Sequence, residues 1–347
     1  MNIGNARDAA RAWVLKHARN ESGYCGAWFS GSTVQMPDDA VLPVASDVDV
    51  MVALDVEEVS PKPGKFIYEG ALLEITFLPL ASISSAASVL SSYHLAGSFR
   101  IDTIIDDPSG FLRSLQEQVA KSFSEEAWVR IRCGEALARV ADGMSTLDFS
   151  APLQDRINNW LFPTGVSAHV LLVAALRNPT IRLRYLAVRE IMRQYHLEDR
   201  YEELLQLSGW ESWTPQRVGK HLKNLERTFD EAVRHQGTLF FFRSDISMSA
   251  RSIIIDGSRD LIRAGNHREA AFWMVATYAR CHKILAADAP EKVQRAFMPA
   301  FESILSDMGV LVEEALRKRA QAVTAYLPRL RDSMECILAD NHGISRR

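Results

Sequence analysis

The sequence predicts an α+β fold: a small mixed β-sheet domain over residues 1–106, followed by an all-helical bundle over residues 107–347. Three observations lead there. The first hundred residues contain short apolar runs bounded by Gly, Pro, Ser or Asp, as strands are. From Asp107-Pro108 onward the apolar spacing becomes that of helices. The chain also shows no repeat of fixed period and no low-complexity tract, so two packed domains of ordinary size account for its 347 residues.

The elements follow in order. An amphipathic helix is expected over Ala6–Arg19. Strands are expected at Ala27–Phe29, Val48–Leu54, Leu72–Leu80 and Phe99–Ile105, with a helix over Leu80–Tyr93. The order helix, strand, strand, strand, helix, strand fits an α+β or α/β unit with a small mixed sheet. Asp107 then reads as an N-cap with Pro108 at the first helical position, where its missing N–H costs nothing. Ser124 followed by Glu125-Glu126 opens another helix, with acids at its positive end. Thr214-Pro215 repeats the cap-and-proline signal and starts a helix to about His235. Further helices are expected over about 164–176, 179–195, 248–264, 267–287, 290–307 and 309–339, with Pro299 kinking its helix or ending it early. The helix beginning at His267 shows a broad apolar stripe and is expected to pack centrally.

Composition narrows the function. Hydrophobic residues make up 47% and charged residues 24%, the proportions of a globular protein. No apolar run approaches the ~20 residues that span a bilayer, so no membrane partner is expected. The first twenty residues carry charges and no apolar block, unlike a signal peptide, and a cytoplasmic location is expected. Cys25, Cys133, Cys281 and Cys336 are far apart and form no Cys-x-x-Cys pair, which argues for idle thiols in a reduced compartment rather than a zinc site. No pair of histidines has metalloenzyme spacing. The net charge of −3 lacks the basic excess of a protein that tracks a long nucleic acid, so a small substrate is expected instead.

The chemistry is concentrated in "WFSGSTVQMPDDAVLPVASDVDVMVAL", from Trp28 to Leu54. A strand-like run ends in Ser30-Gly31-Ser32. A loop, Thr33–Ser46, leads to Asp47-Val48-Asp49-Val50 at the head of a second apolar strand. Alternate residues of a strand share a face, so Asp47 and Asp49 point one way while Val48 and Val50 enter the core. Two carboxylates so close repel each other, and a hard cation such as Mg²⁺ between them relieves the repulsion. Gly31 allows close backbone approach to a phosphate, and Ser32 offers a hydroxyl and an N–H to hold one. Glu74 is a third acid, in the apolar strand "ALLEITFLPL", where a lone carboxylate is costly unless it meets a metal or a proton donor. If its strand lies beside that of Asp47 and Asp49, the three acids converge.

This combination of Gly-Ser, loop, Asp-x-Asp and a separate acidic strand resembles the DNA polymerase beta nucleotidyltransferase superfamily. Within it, "SDVDV" and "LEIT" are most similar to the corresponding stretches of the aminoglycoside (antibiotic) nucleotidyltransferases, which also carry a helical C-terminal domain as the other wall of the cleft. The likeness covers about residues 25–80; the loop from Ser32 to Asp47 is longer than usual and holds Asp38-Asp39. The resemblance implies that Gly31 and Ser32 hold the β- and γ-phosphates, that Ser46 adds a hydroxyl, and that Asp47 and Asp49 ligate Mg²⁺. Glu74 would either complete the metal set or act as general base toward the acceptor hydroxyl. Two Mg²⁺ ions and a nucleoside triphosphate, ATP by preference, are implied, with in-line attack on the α-phosphorus and pyrophosphate leaving. The implied product is a nucleotidylated small molecule, an aminoglycoside-like antibiotic or a natural-product intermediate. Two other readings stay open: the same chemistry on a protein or RNA acceptor, as in nucleotidyltransferases paired with a toxin, and a non-catalytic module that keeps the fold. A shallow cleft could also be shared by two subunits of an oligomer.

Cations for the phosphates are sought in the helical part. Lys220 and Lys223, on the helix after Pro215, are the candidates, with lysine acting as a point charge. Arg182, Arg184, Arg189 and Arg193 read as a solvated helix face. Glu202, Glu203, Trp210, Glu211 and Trp213 could receive a cationic acceptor, although a helix end and turn with packed tryptophans accounts for them as well. Phe240-Phe241-Phe242 reads as core.

Overall fold

The computed structural model describes residues 1–59 and 62–346. Its chain groups into two compact units, one of Met1–Arg132, Phe241–Ile253 and Ser345–Arg347, the other of Cys133–Phe240 and Ile254–Ile344. The α+β class holds: a five-stranded mixed sheet lies in the first part of the chain and helices make up the rest.

In the first unit, helix α1 (Ile3–Lys16) starts at Asn2, whose side chain accepts from the Asn5 N–H at 2.8 Å. Strands β1 (Tyr24–Ser30), β2 (Val48–Leu54), β3 (Gly64–Tyr68) and β4 (Ala71–Pro79) follow, then the short helix α2 (Ala86–Ser91) and strand β5 (Ile104–Asp106). The sheet order is β3-β4-β2-β1-β5, with β2 and β4 parallel and the other neighbours antiparallel. The alternation is the one expected of strands with two different faces. Val48, Val50, Val52, Leu73, Ile75 and Phe29 are buried with Ala6, Ala10 and Val14 of α1, so α1 covers one face. Trp28, Ala53 and Leu78 on the other face pack with Val89 and Leu90 of α2 and with Leu112 and Leu115 of α3 (Phe111–Ser122).

Several boundaries differ from the sequence expectation, each for a local reason. The helix expected over Leu80–Tyr93 is a 3₁₀ turn at Leu80–Ile83 and then α2, because Ser85 and Ser88 form a reciprocal cap that restarts the helix. The strand expected from Phe99 is confined to Ile104–Asp106, with Ala96–Phe99 in a 3₁₀ turn. Asp107-Pro108 does not open a helix. Asp107 instead accepts from the Arg113 N–H at 2.9 Å, and α3 begins after Gly110, whose φ of 77° suits glycine. Helix α3 belongs to the same compact unit as the sheet.

Helix α4 (Glu126–Ser145) starts at the acids expected of it. In the second unit α5 (Leu153–Ala174) is longer than its sequence signal, because the chain stays helical through Pro163. There follow α6 (Arg184–Gln194), α7 (Glu198–Ser208), α8 (Pro215–Arg234), α9 (Gly257–Arg263), α10 (His267–Asp288), α11 (Glu291–Asp307) and α12 (Glu313–Asp340). Thr214 caps α8 as expected, its hydroxyl accepting from Arg217 N–H at 3.2 Å. A single π-helical turn, Ser252–Asp256, precedes α9. Pro299 does not end α11, which continues to Asp307. Helix α10 is buried along nearly its whole length and packs against α5 and α8, the central position its apolar stripe implied. No helix among the described residues is long and apolar enough to cross a membrane.

Candidate metal and nucleotide site

Pairing register places the site. Ser30 of β1 lies opposite Asp49 of β2, Asp49 beside Glu74 of β4, and Glu74 opposite Lys65 of β3. Four strands therefore present Ser30, Asp49, Glu74 and Lys65 in one row, on the face that α1 does not cover. Asp47, two residues before Asp49, joins the row from the turn leading into β2. Val48, Val50, Leu73 and Ile75 between these acids are fully buried, so a one-residue slip would exchange core for charge.

Carboxylate oxygens of Asp47, Asp49 and Glu74 lie within 4.8 Å of one another. Among the described residues this is the one set of acids, histidines or cysteines close enough to hold a metal ion together. The electrostatics are those of a crowded anion site. Burial, reinforced by the charges of Asp47 and Glu74, pushes the Asp49 carboxyl well above the usual carboxylate range. Glu74 goes the other way: burial disfavours its charge, but the ammoniums of Lys65 and Lys62 hold it down at about 2. Burial likewise disfavours the charge on Lys65, yet Asp47, Glu74, Asp245 and Asp49 together keep it above the ordinary lysine value. Three hard oxygen donors, one of them raised by burial and by its like-charged neighbours, fit a divalent cation such as Mg²⁺.

The two lysines were not expected from the sequence. Lys65 forms ion pairs with both Asp47 and Glu74 and lies 3.9 Å from Asp245, while Lys62 pairs with Glu74 at 2.6 Å. The β3 run "GKFIY" is short and sits at the sheet edge, where a lysine ordinarily reads as solvated. Asp245 arrives from the far segment Phe241–Ile253, and no spacing rule links it to Asp47 or Glu74. That Lys65 alternates with Phe66, which packs on the α1 side, is the one sequence signal that could have placed it.

Gly31 and Ser32 sit where they were expected, at the end of β1. Gly31 has φ 72° and ψ −161°, a region essentially closed to other residues, and a β-carbon there would run into the Asp49 carboxylate. Ser32 is exposed and opens a 3₁₀ turn, Ser32–Gln35. Arg7 of α1 fixes that turn: one guanidinium nitrogen donates to the carbonyls of Thr33 at 2.5 Å, Val34 at 3.1 Å and Met36 at 3.0 Å, and the other pairs with Asp38 at 2.5 Å. Ser46 is half-buried, its N–H bonded to the Pro43 carbonyl at 3.0 Å, and stands directly before Asp47.

The helical candidates fare differently. Lys220 and Lys223 are exposed on α8, in the second unit. Arg184 and Arg189 do not form the solvated face expected. Arg184 is buried with its guanidinium 3.9 Å from the Phe272 ring centroid, and Arg189 pairs with the buried Glu269 at 2.7 Å. Trp210 and Trp213 are packed core, Glu202 pairs with Arg268 at 2.7 Å, and Glu203 pairs with Arg329. Phe242 is buried but Phe241 is 77% exposed, so that triplet is core only in part.

Compared with solved structures, the chain is similar to a nucleotidyltransferase-like protein from Exiguobacterium sibiricum 255-15, at 12% identity and a TM-score of 0.30, over 90% of this chain and 91% of that one. No protein-family model matches the chain, and no curated protein matches it.

Proposed function

We infer that the protein is a Mg²⁺-dependent nucleotidyltransferase that moves a nucleoside monophosphate, AMP from ATP, onto a hydroxyl of a small molecule such as an aminoglycoside-like antibiotic or a natural-product intermediate. The observation that carries this reading is the convergence of Asp47, Asp49 and Glu74 on one sheet face, beside a glycine that leaves room for no side chain.

Asp47, Asp49 and Glu74 would hold the divalent ion, which supplies charge neutralisation to the transferred and leaving phosphates when bound. Gly31 and Ser32, held in place through the turn that Arg7 grips, would receive the β- and γ-phosphates, with Ser46 adding a hydroxyl. Glu74 is assigned to the metal set because one of its carboxylate oxygens lies within 4.8 Å of those of Asp47 and Asp49. Lys220 and Lys223, one helical turn apart on α8, stay candidates for nucleotide binding. Acceptor recognition is assigned to the helices after residue 106. Mechanistically the protein's part is to align the acceptor oxygen, the α-phosphorus and the leaving pyrophosphate in one line.

Calorimetry of each nucleoside triphosphate with Mg²⁺ tests this, on the wild type and on Asp47→Ala/Asp49→Ala. One triphosphate should bind only with Mg²⁺, and the double variant should lose at least about a hundredfold in affinity, since even outer partners of a metal are worth 10–100-fold. Binding indifferent to the two aspartates would sink the assignment.

A further inference from the structure

Lys65 stands inside the acidic cluster, and its position is built rather than incidental. β3 is an edge strand, so an outward lysine side chain would be free to enter water. Only 8% of this one is exposed. Its ammonium bridges Asp47 and Glu74, the first and third acids in the motif order. Asp245 approaches the same nitrogen at 3.9 Å, from the 3₁₀ turn Arg243–Asp245. That turn seats on β3 at Gly64: the glycine has φ 71°, and a β-carbon there would run into the Ser244 side chain. Lys65 is therefore fixed from three sides, by β4 through Glu74, by the approach to β2 through Asp47 and by the Arg243–Asp245 turn. A point charge held between two carboxylates occupies the place a second metal ion would need to bridge them.

We propose that Lys65 is a permanent internal cation of this site, standing in for a second metal ion, so that the cluster takes up a single divalent ion and keeps Lys65 as the other positive charge. This rests on the nucleotidyltransferase reading above and fixes the number of ions at one, where the resemblance implies two. A second divalent ion bridging Asp47 and Glu74 would have to break both close ion pairs of a buried ammonium, leaving it only the longer approach of Asp245, which is strongly unfavourable.

The test counts ions. Mn²⁺ is titrated by electron paramagnetic resonance against the wild type, Lys65→Met and Lys65→Arg, alone and with a non-hydrolysable ATP analogue, and melting is followed with Mn²⁺ and with EDTA. The wild type and Lys65→Arg should bind one Mn²⁺ per chain. Lys65→Met should bind two, or one at least about tenfold more tightly, as expected when a like charge leaves a shared cluster. Its melting temperature should fall in EDTA and recover with Mn²⁺ more than the wild type gains. Two ions in the wild type, or the same number and affinity in Lys65→Met as in the wild type, would overturn the proposal. If Lys65→Met fails to fold, the wild-type count decides alone. A wild type that binds no Mn²⁺, with or without the analogue, overturns the metal-dependent reading itself, and Lys65 along with it.

Discussion

At the scale of single residues, Gly31 carries more of the site than its size suggests. Its backbone angles cost any other residue roughly 1–3 kcal/mol, and a methyl group would also push the Asp49 carboxylate out of the row. Gly31→Ala is expected to lower the unfolding free energy by that amount and to weaken Mg²⁺-dependent triphosphate binding at least tenfold, losses that urea denaturation and calorimetry measure separately. Asp47, Asp49, Glu74 and Gly31 were legible in the sequence because strand alternation is a two-residue rule, and the apolar residues flanking each acid identify its face. Lys65 and Asp245 were not legible. A lysine on a short edge strand looks solvated, and an aspartate from Phe241–Ile253 meets the row only through tertiary structure.

At the scale of elements, the site depends on parallel pairing of β2 with β4, which sets Asp49 beside Glu74. It depends as well on the single side chain that ties α1 to the turn after β1. Arg7 is mostly buried, and its guanidinium donates to the carbonyls of Thr33, Val34 and Met36, the first of which also accepts from the Met36 N–H at 3.1 Å. Arg7→Ala is expected to cost about 1.5–3 kcal/mol in stability, the worth of hydrogen bonds to a charged group. It should weaken triphosphate binding while leaving Mn²⁺ affinity at the aspartates near the wild-type value, a split that separates phosphate positioning from metal binding. Element types were legible where an amphipathic period or a cap marked them, as at Thr214-Pro215. They were misjudged where tertiary packing overrode a local breaker: α5 starts at Leu153 and runs through Pro163, the N–H lost to proline being outweighed by burial of the helix faces, whereas α11, Glu291–Asp307, keeps close to its expected bounds with Pro299 inside it. Leu80–Tyr93 was misjudged for the opposite reason, since the Ser85 cap divides an apolar stretch that reads as continuous.

At the scale of the whole molecule, acid sensitivity is expected to arise outside the site. His282 of α10 is buried and stacked 4.5 Å from the Phe301 ring, its Nε2 without a hydrogen-bond partner, and burial pulls its pKa down from 6.5 to about 4. The folded state thus binds fewer protons than the unfolded chain between those values. Stability is full above pH 6.5 and falls as the pH drops toward 4; the loss is about 2 kcal/mol at pH 5. His282→Phe should flatten this part of the profile, which urea midpoints at pH 7.5 and pH 5 would show; an unchanged slope would assign the acid loss to other groups.

The return of Phe241–Ile253 to the sheet-bearing unit has a consequence for anyone who handles the gene. Because Asp245 and Ser244 come from that late segment, the N-terminal stretch is not a cassette that can be excised at one junction and moved to another protein. A fragment ending at Arg132 would carry every motif residue from Gly31 to Glu74, yet lack the turn that seats against Gly64 and the carboxylate that approaches Lys65. Inheritance of this chemistry by fusion or shuffling therefore requires both stretches of coding sequence, although more than a hundred codons of helical protein separate them.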